Sequence, residues 1–289
     1  MRIAITGATG RVGYPVARNL AAQGHSVTTL GRRPVPGLSY LDWSLDLPPP
    51  DLSDFDALVH AAFAHVPGRY RGGEGDDPAG FRALNLNGTL RLFAHAKSSG
   101  VARIVFLSSR AVYDGYSPGT VLADGLSARP ATLYAEVKAE AEAWLTGSAG
   151  PSLAVASLRA TGVYGAGVPG QPHKWDALFA AHLSGQVQPA RVGSEVHEDD
   201  IAAAVGLLLT VPPGCLAPVT FNASDILLDH HDLLACVNDL TGKDRPLPKR
   251  SDPAMVGVMT TDRLRDLGWT PRGLSGLRPT VAALLTGST

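Results

Sequence analysis

Apolar residues in this chain follow two alternating rhythms. Short apolar runs at residues 2–6, 24–30, 38–43, 55–62, 101–107 and 153–158 read as strands. Between them, apolar positions recur every three or four residues, as at Val16, Ala17, Leu20 and Ala21 and along 81–99 and 131–145, and these read as helices. Strand and helix take turns throughout, which predicts an α/β fold with a doubly wound parallel sheet covered on both faces. Beyond residue 170 the rhythm breaks. Helices near 175–184, 200–209 and 229–240, a short strand at 218–222 and a terminal helical run predict a smaller, interleaved C-terminal unit. The expected division is 1–165 for the sheet domain, with 196–211 packing back onto it, and 166–195 with 212–289 for the companion.

The first strand runs directly into Thr6-Gly7-Ala8-Thr9-Gly10-Arg11-Val12-Gly13, with glycine at every third position, and the loop runs directly into the first helix. A dinucleotide pyrophosphate needs this. Gly7 takes the tight turn, Gly10 removes a Cβ that would hold phosphate oxygens away, and Gly13 lets helix and sheet approach. The helix's unpaired N–H groups then face the anion. Thr9, Arg11 and Val12 complete the expected cofactor cradle, in a domain of the Rossmann type.

The end of the second strand selects the cofactor. An acid there would accept from the adenosine ribose of NAD, but the residues are Gly31-Arg32-Arg33. Two guanidinium groups suit a 2′-phosphate, so NADP(H) is expected first and NAD(H) second. Asp42 and Trp43, ending the third strand, are placed beside the adenine, and the small Ala61 and Ala62 let the cofactor pass over the fourth strand. His60 reads as a packed core histidine. Pro48-Pro49-Pro50 is a stiff connection, and 67–80, with five glycines, reads as a loop without structure of its own. Asn85, Asn87 and Gly88 inside the 81–99 helix cost helix stability, which points to close packing or local polar work.

Composition narrows the partners. The chain has 289 residues, 45% hydrophobic and 18% charged, with a net charge of −1. That is enough to bury a sizeable core, and it offers no basic face to nucleic acid or an anionic membrane. The longest apolar run beyond the strands, 201–209, is too short to span a bilayer, and Thr6 and Gly7 interrupt any N-terminal signal. Cys215 and Cys236 lack companions at metal-ligand spacing, so buried thiols in a reducing, cytoplasmic compartment are expected. Asp229-His230-His231-Asp232 is not read as a metal site, because neighbouring helix residues diverge by about 100° and an Asp opening a helix is a common N-cap.

Tyr134 and Lys138 lie four apart on one helix, so both project from one face. A phenol with pKa ~10 is a poor acid–base group at neutral pH, and a nearby ammonium lowers it. Ser109 ends the neighbouring strand on the side where ligands bind in parallel sheets. Its hydroxyl can hold a substrate oxygen while Tyr134 exchanges the proton and a nicotinamide the hydride.

Over essentially its whole length the chain resembles the extended short-chain dehydrogenase/reductase family, also called the NAD-dependent epimerase/dehydratase family. The resemblance rests on residues 6–13, Asn85-Leu86-Asn87-Gly88-Thr89, Leu107-Ser108-Ser109-Arg110-Ala111-Val112-Tyr113, Tyr134-Ala135-Glu136-Val137-Lys138, Val196-His197-Glu198-Asp199-Asp200-Ile201-Ala202 and Leu267-Gly268-Trp269-Thr270-Pro271. It implies Ser109, Tyr134 and Lys138 as catalytic residues, with Asn85 in support, Glu142 where the family keeps an acid, and Thr161 near the cofactor. It also implies a homodimer face on the helices at 81–99 and 131–148. Departures narrow the reaction. Family members that dehydrate sugars carry an Asp and a Glu after the catalytic hydroxyl, where this chain has Arg110 and Ala111. Nucleotide-sugar epimerases tend to carry an Asn where this chain has Gly162 and an Arg where it has Gly193; Arg191 stands nearby.

The expected function is an NADP(H)-dependent oxidoreductase interconverting a ketone and a secondary alcohol on a small polar or carbohydrate-like substrate. His173, Lys174 and Trp175 border the expected substrate pocket. One alternative is an NAD(P)-dependent sugar epimerase; another is a non-catalytic cofactor sensor on the same fold.

Overall fold

A computed structural model describes residues 1–65 and 74–287. Among them the chain runs β1 (Arg2–Thr6), α1 (Gly13–Ala22), β2 (Ser26–Gly31), β3 (Ser39–Asp42), β4 (Ala57–His60), α2 (Pro78–Arg82), a π-helical turn (Ala83–Asn87), α3 (Gly88–Ser98) and β5 (Arg103–Ser109). Then follow α4 (Leu133–Ser148), β6 (Ala154–Ala160), β7 (Gly162–Tyr164), α5 (Asp176–Leu183), β8 (Val192–His197), α6 (Glu198–Thr210), β9 (Thr220–Ala223), β10 (Ile226–Asp229), α7 (His230–Thr241), α8 (Asp262–Asp266) and α9 (Leu277–Thr286). Seven strands form one parallel sheet in the order β3-β2-β1-β4-β5-β6-β9. The chain builds outward from β1 to β3, then returns to lay β4 on β1's other side. The crevice at the carboxyl ends of β1 and β4 is where such sheets bind ligands.

Strand side chains alternate, so each central strand feeds two cores. Ile3, Ile5, Val59, Val105 and Leu107 meet Val16 and Leu20 of α1 and Ile201, Val205 and Leu208 of α6 on one face. Ala4, Leu58, Ile104 and Phe106 meet Leu92 and Phe93 of α3 and Val137, Ala141 and Leu145 of α4 on the other. The expected parallel sheet, covered on both faces, is therefore present.

The expected helix at 81–99 is a helical stretch from Pro78 to Ser98 interrupted by the π-helical turn. Gly88 is needed for close approach, since a Cβ there would meet the Leu45 carbonyl oxygen at 2.3 Å. The expected structureless segment 67–80 lies partly outside the described residues, and its end, Pro78 to Gly80, is instead helical. Asp77 starts that turn by accepting from the Gly80 N–H at 2.8 Å.

A second, three-stranded sheet, β10-β8-β7, was not anticipated. β7 falls inside 162–170, a run with four glycines that masks a strand, and β8 carries Gly193, Ser194 and Glu195, which mask its pattern. Its apolar face joins Trp175 just before α5, Phe179 of α5, Leu233, Leu234 and Val237 of α7, and Val281 of α9 in a third core. Asp229 caps α7 by accepting from the His231 N–H at 2.8 Å, as the N-cap reading expects. The expectation of buried thiols fails: Cys215 is exposed, in a short turn after α6, and Cys236 is only half-buried. No helix among the described residues is long and apolar enough to cross a membrane.

Candidate active site at the carboxyl edge of the sheet

The glycine loop fits a dinucleotide cradle. Gly7 has φ +70°, and a Cβ there would lie 2.6 Å from the backbone of Ala61 and Ala62. A Cβ at Gly13 would lie 2.2 Å from the Gly7 carbonyl oxygen, whereas one at Gly10 would meet only that oxygen, at 3.2 Å. Gly7 and Gly13 are thus packed by protein, and Gly10 borders open space that a phosphate can approach. α1 begins at Val12 with no side-chain cap and no acid in its first turn, which leaves its N–H groups and dipole for an anion. Thr6 Oγ1 accepts from the N–H groups of Ala61 and Ala62, at 3.2 and 3.1 Å, and pairs with His60 Nδ1 at 2.7 Å. The small Ala61 and Ala62 are thereby fixed beside the loop. His60 is fully buried; burial and the Lys138 charge lower it to about 3, so it is a neutral core residue.

A further clasp on this loop was missed in the sequence. Arg11 Nη2 donates to the Pro172 carbonyl at 2.8 Å, and Gln171 Nε2 donates to the Thr9 carbonyl at 3.1 Å. No sequence signal links positions so far apart.

Arg32 and Arg33 are exposed directly after β2, and Asp42 is exposed at the end of β3, accepting from the Tyr40 hydroxyl at 3.1 Å. Trp43 requires correction. It is 2% exposed and packs with Leu30, Leu45 and Leu52, so its ring is core and offers no face to an adenine. Thr161 is also otherwise engaged: its hydroxyl donates to the Ser194 carbonyl at 2.7 Å and ties the two sheets together. Of the three residues expected to border a substrate pocket, Trp175 lies in the third core, and Lys174 is ion-paired with Glu195. Burial, with the charges of Arg11 and Lys174, lowers His173 to about 4.

Thr132 caps α4 by accepting from the Ala135 N–H at 3.2 Å, which starts the helix just before Tyr134. Lys138 follows one turn later and is 4% exposed. Its Nζ donates to the Leu107 carbonyl at 2.7 Å, two residues before Ser109 on β5, which ties the helix pair to the strand end. The ammonium lies 4.7 Å from the Phe63 ring centre, 4.6 Å from Phe106 and 6.0 Å from Tyr134. Burial lowers Lys138 to about 7, opposed by the Glu142 charge. Ser109 Oγ accepts from the Ala111 N–H at 3.1 Å, leaving its own proton free to donate to a ligand oxygen. Asn85 grips Ala64 from both sides: Oδ1 accepts from its N–H at 2.7 Å and Nδ2 donates to its carbonyl at 2.9 Å. It shapes the segment bearing Phe63.

Behind the pair, Glu142 and Arg159 form a bidentate ion pair, 3.0 Å from Nε to Oε1 and 2.6 Å from Nη2 to Oε2. Ser108 also donates to Glu142, and Arg159 Nη1 donates to the Tyr113 hydroxyl at 2.6 Å. Arg110 is braced against the Gly257 carbonyl at 3.1 Å and Asp114 at 3.2 Å. Neither it nor Ala111 supplies a carboxylic acid beside Ser109.

The model of the NAD dependent epimerase/dehydratase family matches residues 3–223. No curated protein matches the sequence. Among solved structures, MoeE5 in complex with UDP-glucose and NAD is 26% identical with a TM-score of 0.76, covering 100% of this chain and 98% of that one. UDP-glucose 4-epimerase of Thermus thermophilus, in complex with NAD, is 25% identical with a TM-score of 0.73, covering 97% of this chain and 98% of that one. UDP-glucose 4-epimerase of Thermotoga maritima, with UDP-glucose, shares the fold at a TM-score of 0.80 and 20% identity, covering 100% of both chains.

Proposed function

Because this chain belongs to the NAD-dependent epimerase/dehydratase family, we propose that it inverts a hydroxyl-bearing carbon of a sugar through a transient ketone. One dinucleotide stays with the enzyme through the turnover. The observation that carries this reading is the Tyr134–Lys138 pair tethered to the strand that ends in Ser109, at the same sheet edge as the glycine cradle. The NAD-bound relatives of 25–26% identity support it. The Thermus thermophilus relative, a UDP-glucose 4-epimerase, favours epimerisation over the net oxidation or reduction read first from the sequence.

When bound, the dinucleotide supplies the hydride acceptor and donor. Gly10 and the N–H groups at the start of α1 would hold its pyrophosphate, with Gly7 and Gly13 setting the loop against the protein. Ser109 donates to the substrate oxygen and fixes it. Tyr134, as phenolate, takes that oxygen's proton as the ketone forms and returns it when the alcohol is restored. The Lys138 charge beside Tyr134 favours the phenolate form, and its ammonium would hold the nicotinamide ribose hydroxyls. Gly162 and Gly193 contribute no side-chain donor to a substrate diphosphate, which leaves Arg191 as the nearby candidate if the sugar is nucleotide-linked.

If the dinucleotide is retained, denaturing the purified protein releases roughly one equivalent of NAD(P) into the supernatant. Protein that purifies free of dinucleotide and turns over only with it added contradicts this reading.

A net NADP(H)-dependent oxidoreductase is the second reading, favoured by Arg32 and Arg33 after a β2 that ends without an acid. Replacing Arg32→Ala and Arg33→Ala together is expected to weaken NADPH binding roughly 10- to 100-fold, and NADH binding far less. Calorimetric titration measures both. Equal losses would remove the 2′-phosphate assignment.

A further inference from the structure

A buried ammonium needs compensation, and Lys138 has little from acids. Glu142, one turn along its own helix and the carboxylate that acts on it, is taken by Arg159 and Ser108. From β5 come only the Leu107 carbonyl and the Phe106 ring. From β4 comes His60, buried and neutral, its ring stacked 5.8 Å from Phe106. From the segment after β4 comes Phe63, whose ring lies 4.7 Å from the ammonium. The same ring meets Tyr134 edge-on at 4.9 Å and Phe81 at 5.5 Å. Phe106 is locked in the sheet core, whereas Phe63 is half-buried on a segment held by the grip of Asn85 on Ala64.

We propose that Phe63 is a positioning residue: its ring and that of Phe106 both lie against the Lys138 ammonium and keep it charged beside Tyr134. The negative face of an aromatic ring stabilises a cation without introducing an anion, and the effect is strongest where water is excluded. That choice suits the site. A carboxylate in Phe63's place would also hold the ammonium, but its charge would oppose formation of the Tyr134 phenolate. A plain aliphatic side chain would bury the ammonium and offer it nothing. The inference rests on the reading of Tyr134 and Lys138 as the acid–base pair, but its test needs no substrate.

Protein labelled with carbon-13 at the lysine ε-carbon is titrated by NMR, with the Lys138 signal assigned by its absence from Lys138→Met. Phe63→Leu keeps apolar bulk and removes the ring; its Lys138 midpoint is expected about one pH unit below wild type, a tenfold change in acid dissociation. Phe63→Tyr keeps the ring and is expected within a few tenths of wild type. If the leucine variant does not fold, Phe63→Met makes the same ring-free comparison. A ring-free midpoint at or above wild type would mean that Phe63 only excludes water, and a tyrosine variant shifted as far as leucine would mean that the ring face is irrelevant. Either result overturns the proposal. Full turnover by Tyr134→Phe would instead remove the acid–base reading and leave this ring contact standing.

Discussion

Tyr134→Phe is expected to lower turnover by about three orders of magnitude, while dinucleotide affinity stays within about twofold of wild type. The substitution deletes one oxygen and leaves the ring, so the edge-on contact with Phe63 and the start of α4 at Thr132 survive. What disappears is the group that accepts the substrate proton, and the neighbours cannot stand in for it. Lys138 is held by the Leu107 carbonyl, and Ser109 Oγ, with an ordinary alcohol's acidity, already accepts from the Ala111 N–H. The cradle lies in separate elements, the β1–α1 loop and the end of β4, which explains why affinity should not follow activity. Steady-state kinetics and calorimetric titration of the same preparation separate the two quantities. A variant with wild-type turnover would remove Tyr134 from the chemistry.

The largest stability effect is expected at the ion pair behind the site. Arg159 and Glu142 have side-chain exposures of 5% and 4%. Arg159→Met leaves the Glu142 carboxylate in the core with the Ser108 hydroxyl as its remaining described donor. Removing one partner of such a pair costs about 3–5 kcal/mol, mostly because the other charge is stranded. Replacing both, as Arg159→Met with Glu142→Leu, should recover a large part of the loss, since a matched apolar pair carries no unpaired charge. Urea unfolding of the two variants measures this. A single-variant loss under about 1 kcal/mol, or a double variant no better than the single, would show that the pair does not brace β5, α4 and β6.

The inner strands β1, β4, β5 and β6 were legible because each is an apolar run between helices, and burial on both faces enforces that pattern, whereas β9, expected in the companion unit, instead extends this sheet beside β6. Tyr134 and Lys138 were legible for a related reason: a spacing of four on a helix is local, so sequence alone predicts their shared face. Trp43 was misread by position. It follows a four-residue edge strand whose other members are mostly exposed, so nothing in the pattern signalled that its ring turns inward against Leu30 and Leu52. β7, β8 and β10 escaped notice because they are three to six residues long and stabilise one another; the partner of each is distant in sequence. Phe63 and the Gln171–Thr9 clasp share that difficulty. Their roles come from contacts that only the folded chain creates, across about 70 and 160 residues respectively.

In the proposed reaction, hydride leaves the sugar and returns to it within one turnover. This is tested by incubating the protein with free and nucleotide-linked sugars while proton NMR follows configuration at each carbon and absorbance at 340 nm follows reduced dinucleotide. Inversion at one hydroxyl-bearing carbon is expected, with no net change in absorbance. A stoichiometric change in absorbance, accompanied by an accumulating keto or alcohol product, would refute the epimerase reading and identify a net oxidoreductase.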